Sequence, residues 1–220
     1  MGNGHTATAV DADALLEEAH RRAHRLPEGF PGFRARLALV DGDDLHEGEV
    51  SVEDTTVLVQ LPGAPQDAVE WARAELASMT SHRRHQSYAD GDGRWGKRLA
   101  GPEGPLGVTV ELEDPLLSSY RLRDGLLDEV TRCTTRERFS ILVQSRTPAP
   151  DGRLLPSAFT VLWWDLPTGA LSRTDIYTDE HVVVGDAVLP SVRRVSSADD
   201  GGLRVREIVL NGHELVGAAR

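Results

Sequence analysis

The chain has 220 residues, 40% hydrophobic and 27% charged, with a formal net charge of −11. That balance describes one soluble domain, or at most two small ones, and excludes a disordered chain or a bundle of membrane helices. The 35 acidic residues against 24 basic ones argue against nucleic acid or anionic lipid as the main partner, because both demand a basic face. Cys133 is the single cysteine, so no internal disulfide staples the core. Residues 1–10 read as a flexible amino terminus, without the basic segment and apolar run of a secretory leader, and 11–216 as one domain. No apolar stretch approaches the ~20 residues that cross a bilayer. The expectation is a cytoplasmic protein with no membrane insertion.

Leu15, Leu16, Ala19 and Ala23 recur at helical spacing over 11–26, with Asp11 or Asp13 placed to cap the start, which predicts a short amphipathic helix. Pro27, Gly29, Pro31 and Gly32 end it. Phe33, Ala35, Leu37 and Leu39 then alternate with Arg34, Arg36 and Ala38, the period of a strand. Asp41-Gly42-Asp43-Asp44 turns the chain into strands at 49–53 and 55–61. Val69, Ala72, Leu76 and Met79 form one stripe of a second helix over 65–81. Beyond it, strands are predicted at 86–89, 108–113, 120–123, 126–133, 136–146, 158–164, 171–178, 188–196 and 203–210. Asp124-Gly125, Asp151-Gly152, Pro167-Thr168-Gly169 and Asp200-Gly201-Gly202 separate them. Connections this short make hairpins and not parallel crossovers. The fold class is therefore α+β: a large curved antiparallel sheet, half-barrel or open barrel, with two helices, one packing on the concave face. Such a sheet either encloses an apolar cavity or is plugged by its helix, and the residues leave both open.

The order Phe30-Pro31-Gly32-Phe33, His82-Arg83-Arg84 and Tyr120-Arg121-Leu122-Arg123-Asp124-Gly125-Leu126 resembles the family catalogued as domain of unknown function 3386. Asp165-Leu166-Pro167-Thr168-Gly169, followed by Tyr177, Asp179, Gly185 and Arg193-Arg194, resembles it too, so the likeness runs from Leu15 to Leu215. It implies one α+β domain with a curved antiparallel sheet, similar in outline to lipoprotein-carrier half-barrels, and no activity. The chain departs from the family pattern at His181, where an aromatic is usual, and at Trp163-Trp164.

Asp175, Tyr177, Asp179 and His181 fall at period two, so they project from one face of one strand. Tyr177, Asp179 and His181 are the candidate catalytic residues, as a phenol, a carboxylate and an imidazole that exchange protons or anchor a polar group. The alternative is a solvated outer face, the usual place for a polar row. His82-Arg83-Arg84-His85 complements the dipole at a helix end; if that helix packs in the concave face, Arg83 and Arg84 stand at its mouth and grip a carboxylate or phosphate, and His82 and Arg84 are taken as candidate ligand contacts. Trp71, Trp95, Phe139, Phe159, Trp163 and Trp164 are either core or the flat walls of an apolar site. No metal set is complete, no Gly-x-Gly-x-x-Gly follows a strand and opens a helix, and no P-loop or Gly-x-Ser-x-Gly elbow occurs, so neither metal nor cofactor is expected. The expected function is binding of an apolar small molecule, as a cofactor-independent cyclase or isomerase of a polyketide- or terpenoid-like substrate. The alternative is a non-catalytic intracellular carrier or sequestering protein for a lipid, pigment or terpenoid. A sheet edge and an outward tryptophan also suit a homodimer.

Overall fold

The computed structural model describes residues 11–217 apart from 55; the flexible segment expected over 1–10 lies outside the described residues. Helix α1 (Ala12–Arg22) is capped by Asp11, whose carboxylate accepts from the Asp13 amide at 3.0 Å. It stops four residues short of the sequence expectation because Ala23 turns extended and bridges Leu154, leaving the His24 amide to donate to the Leu154 carbonyl at 3.0 Å. Strands β1 (Phe33–Asp41), β2 (Asp44–Glu53) and β3 (Thr56–Gln60) follow, then helix α2 (Gln66–Ser81). After α2 come β4 (Lys97–Leu99), β5 (Val108–Leu112), β6 (Ser119–Arg123), β7 (Leu126–Cys133) and β8 (Glu137–Pro148). The series ends with β9 (Leu154–Asp165), β10 (Leu171–Val184), β11 (Ala187–Asp199) and β12 (Gly202–Leu215).

All twelve strands form one antiparallel sheet in the order β3-β2-β1-β12-β11-β10-β9-β8-β7-β6-β5-β4. Two meanders, β1–β3 and β4–β12, are thus joined where β1 lies beside β12. The sheet is curved and open, with β3 and β4 at its edges. The register slips beside Glu180, Val143, Arg121 and Arg34 bend the strands that carry them. Asp124 and Gly125 both take positive φ, 53° and 70°, as the tight turn between β6 and β7 requires.

One expectation is corrected. Residues 86–89 are a loop, not a strand, because Ser87 and Asp90 satisfy each other: the Ser87 hydroxyl donates to the Asp90 carboxylate at 2.5 Å and accepts the Asp90 amide at 3.1 Å. The expected helix on the concave face is α2, and α1 packs on the same face. The cross-strand partners decide this. Ala68, Ala72, Leu76 and Met79 of α2 bury against Phe33, Leu37, Leu39, Val50 and Ile208. Leu16 and Ala19 of α1 bury against Val110, Leu112, Tyr120 and Leu122. The register places both sets on the same side of the sheet.

Between the two helix-covered regions lies the middle of the sheet, β8 to β10. There Phe139, Ile141, Phe159 and Trp163 stay half-buried around Val161 and Tyr177. Helix α2 borders this patch, with Trp71 packed against it and Met79 beside it, and the space left over the patch sets the candidate site.

Leu76 is fully buried and Leu58, on β3, is 59% exposed. Replacing Leu76 by alanine is expected to cost about 2–5 kcal/mol in urea unfolding, whereas Leu58→Ala costs less than about 0.5. Equal losses would contradict the placement of α2 on the sheet.

Candidate ligand cavity

Strand β10 carries its polar row inward. Asp175, Tyr177 and Asp179 are buried, while Ile176 between them is 50% exposed. The solvated-outer-face reading of this row is therefore wrong, and the reason is pairing. Arg193 stands opposite Asp179 on β11 and donates to both of its oxygens, Nε to Oδ1 at 2.8 Å and Nη2 to Oδ2 at 2.6 Å. Its remaining Nη1 donates to Glu75 of α2 at 2.9 Å. Four residues earlier on the strand, the Trp163 indole and Arg173 donate to Asp175 at 2.8 and 3.0 Å. Every carboxylate facing inward from β10 thus has a hydrogen-bonded cation or indole beside it, as buried charge demands.

Apolar groups build the rest. Phe159 stacks flat on Tyr177, centroids 4.6 Å apart and planes at 7°, and Phe139 leans on Trp163 at 5.1 Å. With Ile141, Val143 and Met79 they wall a cavity of about 330 Å³, whose remaining lining includes His82, Arg83, Asp179, His181 and Arg193. Of the candidate residues, Tyr177, Asp179, His181, Phe139, Phe159, Trp163 and His82 meet here.

The others do not. Trp71 lies over the adjoining polar cleft of about 390 Å³, with the Arg206 guanidinium 4.0 Å from its ring. Trp95 packs beside α1 and is covered by Arg94. Trp164 occupies the opposite face, where Arg138 sits 4.5 Å over its ring, so the outward tryptophan already has a partner within the chain. Arg84 pairs with Asp54 and lines a separate cleft near Phe30. Sequence reasoning missed Arg193 and Glu75; Arg83 it set beside Arg84 at the mouth of the concave face, and of that pair Arg83 lines the cavity. Glu75 was legible as a charge beside the Ala72–Leu76–Met79 stripe, and Arg193 as an arginine two residues from the apolar Val195 on an inward-facing row.

Electrostatics fix what the groups can do. Burial, helped by the nearby Arg83 charge, pushes His181 down to about 4, so it is a neutral imidazole near neutral pH. Burial and the Glu75 and Asp175 charges push the Tyr177 phenol up, which leaves it a hydrogen-bond donor. Burial raises Glu75 even against the pull of Arg193. Burial works against the Arg193 charge too, yet Asp179 and Glu75 together hold it above the ordinary arginine value. Among the described residues, no hydrogen bond links Tyr177, Asp179 and His181, and Asp179 spends both oxygens on Arg193. The row can orient a polar group but forms no proton relay.

A family model described as Protein of unknown function (DUF3386) matches residues 7–216. The chain belongs to this family. No curated protein matches it. Among solved structures it is similar to an outer membrane lipoprotein-sorting protein domain from Vibrio parahaemolyticus, at 9% identity and TM-score 0.42, covering 96% of this chain and 95% of that one. It is also similar to a DUF1329 family protein from Desulfovibrio piger, at 8% identity and TM-score 0.31, covering 95% and 93%. A third is the MucA/MucB complex of Pseudomonas aeruginosa, at 12% identity and TM-score 0.20, covering 91% and 93%. The expectation of a cytoplasmic protein is withdrawn: the similar structures are an outer membrane lipoprotein-sorting protein domain and MucB with MucA(peri), and no compartment is assigned to this chain. Nothing in the open sheet depends on compartment, and the half-buried free thiol of Cys133 suits either. Among the described residues, no helix is long and apolar enough to cross a membrane.

Two outcomes follow from the buried charges. Arg193→Met strands Asp179, which is 7% exposed, and is expected to cost about 3–5 kcal/mol in urea unfolding; adding Asp179→Leu should recover part of that loss. A neutral Arg193→Met would show that the pair does not hold in solution. The second outcome concerns His181. Its unfolded value of about 6.5 exceeds its folded one, so the unfolded chain binds more protons between roughly pH 6.5 and 4, and stability falls as pH drops through that window. His181→Phe removes this component. Between pH 7 and 4.5 the variant should lose on the order of 2 kcal/mol less than the parent, since the other titrating groups are common to both.

Proposed function

We propose that this protein binds a single apolar small molecule in the cavity over β8–β10 and carries it without transforming it. One observation supports this above others: the middle of the concave face is a continuous aromatic and aliphatic wall that α2 borders through Trp71 and Met79 and that neither helix fills over. Its volume of about 330 Å³ sits at the low end of the ~300–1,000 Å³ typical of small-molecule sites, which suits one chain or one planar ring system. The cyclase or isomerase reading has less support. It needs an acid or base free to move a proton, and Asp179 is held by Arg193, the Tyr177 phenol resists ionisation, and His181 is a weak base.

Magnitudes constrain the ligand. Roughly ten methylenes leaving water contribute about 8 kcal/mol, and association consumes at least about 4 of it. A neutral chain alone then binds weakly, and a polar contact has to supply the rest.

The test is binding of 1-N-phenylnaphthylamine, followed by its fluorescence. The parent is expected to bind one probe per chain. Ile141→Trp, which fills the cavity from β8, should weaken binding by about tenfold or more, while Trp164→Ala on the opposite face leaves it unchanged. No enhancement with the parent, or equal loss in both variants, would overturn the proposal.

A further inference from the structure

Two arginines line the cavity, and they differ in one respect. Arg193 is saturated by Asp179 and Glu75. Arg83, in the turn that follows α2, has no carboxylate within 4.0 Å among the described residues. Its Nη2 donates to the Val188 carbonyl at 2.5 Å, and its Nε is buried without a partner. The backbone around it is fixed: its amide donates to the Thr80 carbonyl at 3.2 Å and its carbonyl accepts the Leu26 amide at 2.6 Å. The neighbouring Arg84 has its counterion in Asp54, and Arg173 and Arg204 have theirs in Asp175 and Asp41. Burial brings Arg83 down only to about 10, so it remains charged near neutral pH. A half-buried guanidinium at the rim of an apolar wall, with a free buried donor, is an incomplete ion pair.

We propose that Arg83 receives the carboxylate of a single-chain apolar acid whose tail lies along the wall toward Phe139 and Trp163. The inference rests on the cavity reading above and names the ligand class. Three observations carry it. Asp179 acts on Arg83 only through space, since its hydrogen bonds go to Arg193 and no ion pair joins it to Arg83 among the described residues. Neutral His181, on the same lining, offers a hydrogen bond without adding charge. And the run of β10 from Asp175, which binds Trp163, to His181 spans roughly 20 Å, the length of an extended chain with its head at Arg83. A monoanion fits better than a dianionic phosphate, which would require a second free cation where Arg193 has none to give.

The experiment displaces bound 1-N-phenylnaphthylamine from the full-length chain with dodecanoate, dodecan-1-ol or sodium acetate, each below its micellar or solubility limit. Dodecanoate is expected to displace about tenfold more effectively than the alcohol, and acetate not at all. Arg83→Gln should close that gap by weakening dodecanoate alone, and Arg83→Lys should keep part of it. Equal displacement by acid and alcohol in the parent would overturn the inference while leaving the cavity reading intact. So would displacement by acetate, which marks a free-anion site, or an Arg83→Gln variant that weakens both chains alike. If Arg83→Gln fails to fold, the acid-to-alcohol ratio of the parent still decides. Failure of the probe itself to bind is the separate result that removes the cavity.

Discussion

The arrangement of this site depends on one buried cation. Arg193 joins three elements at once: β11, which carries it, β10 through Asp179, and α2 through Glu75. A buried ion pair is weak evidence for stability, because desolvation offsets most of the Coulombic gain. It is stronger evidence for position. The β10–β11 register sets Asp179 opposite Arg193, and Glu75 then fixes the height and rotation of α2 above the sheet. Slide α2 by one turn and Glu75 leaves the guanidinium while Met79 leaves the cavity wall. The charges therefore define where the apolar cover ends and the cavity begins.

That boundary explains how an open sheet stays folded with its middle uncovered. Helix α2 carries the chain from one sheet edge, β3, toward the other, β4, and so crosses the concave face of necessity. It buries the β1–β3 and β12 side, α1 buries the β4–β7 side, and each builds a dense core of its own. The strands between them are long and tied by hairpins on both sides, so they need no helix to stay in register. The edges are kept short, five residues in β3 and three in β4, which limits pairing with other chains.

Much of this architecture was legible in the sequence because it is written in local chemistry. The alternation of Phe33, Ala35, Leu37 and Leu39 marks the inner face of β1, and Asp124-Gly125 marks a turn only positive φ satisfies. Strand β4 was not legible, since three residues carry no period, and Ser87 with Asp90 turns a strand-like stretch into a loop. The side on which Asp175, Tyr177 and Asp179 lie was also hidden. A polar row normally faces water, and the Arg193 that pairs with Asp179 lies 14 residues ahead on β11 and is itself held by Glu75, 118 residues before it on α2, a distance no local pattern spans. The tryptophans show the same limit: Trp163 and Trp164 must point to opposite faces, but only the register says that Trp163 faces the cavity.

The same network bears on the difference between holding a molecule and changing it. Chemistry on an apolar substrate needs a group whose protonation changes during the reaction; here burial above all keeps His181 neutral and the Tyr177 phenol protonated, and Asp179 is hydrogen-bonded by Arg193. Fixed charges suit the proposed binding. Asp179, Arg193 and Glu75 neutralise one another and keep the cavity in shape when it is empty, so little ordering is left to be done when a ligand enters. An unroofed aromatic wall in water is unfavourable, and a ligand that covers it stabilises the folded chain by mass action in proportion to its occupancy. Arg83 adds direction to that gain. As the cavity cation without a counterion, it favours the orientation in which an acidic head reaches the rim and the tail covers the wall. Shape is thus set by the paired charges and polarity by the unpaired one.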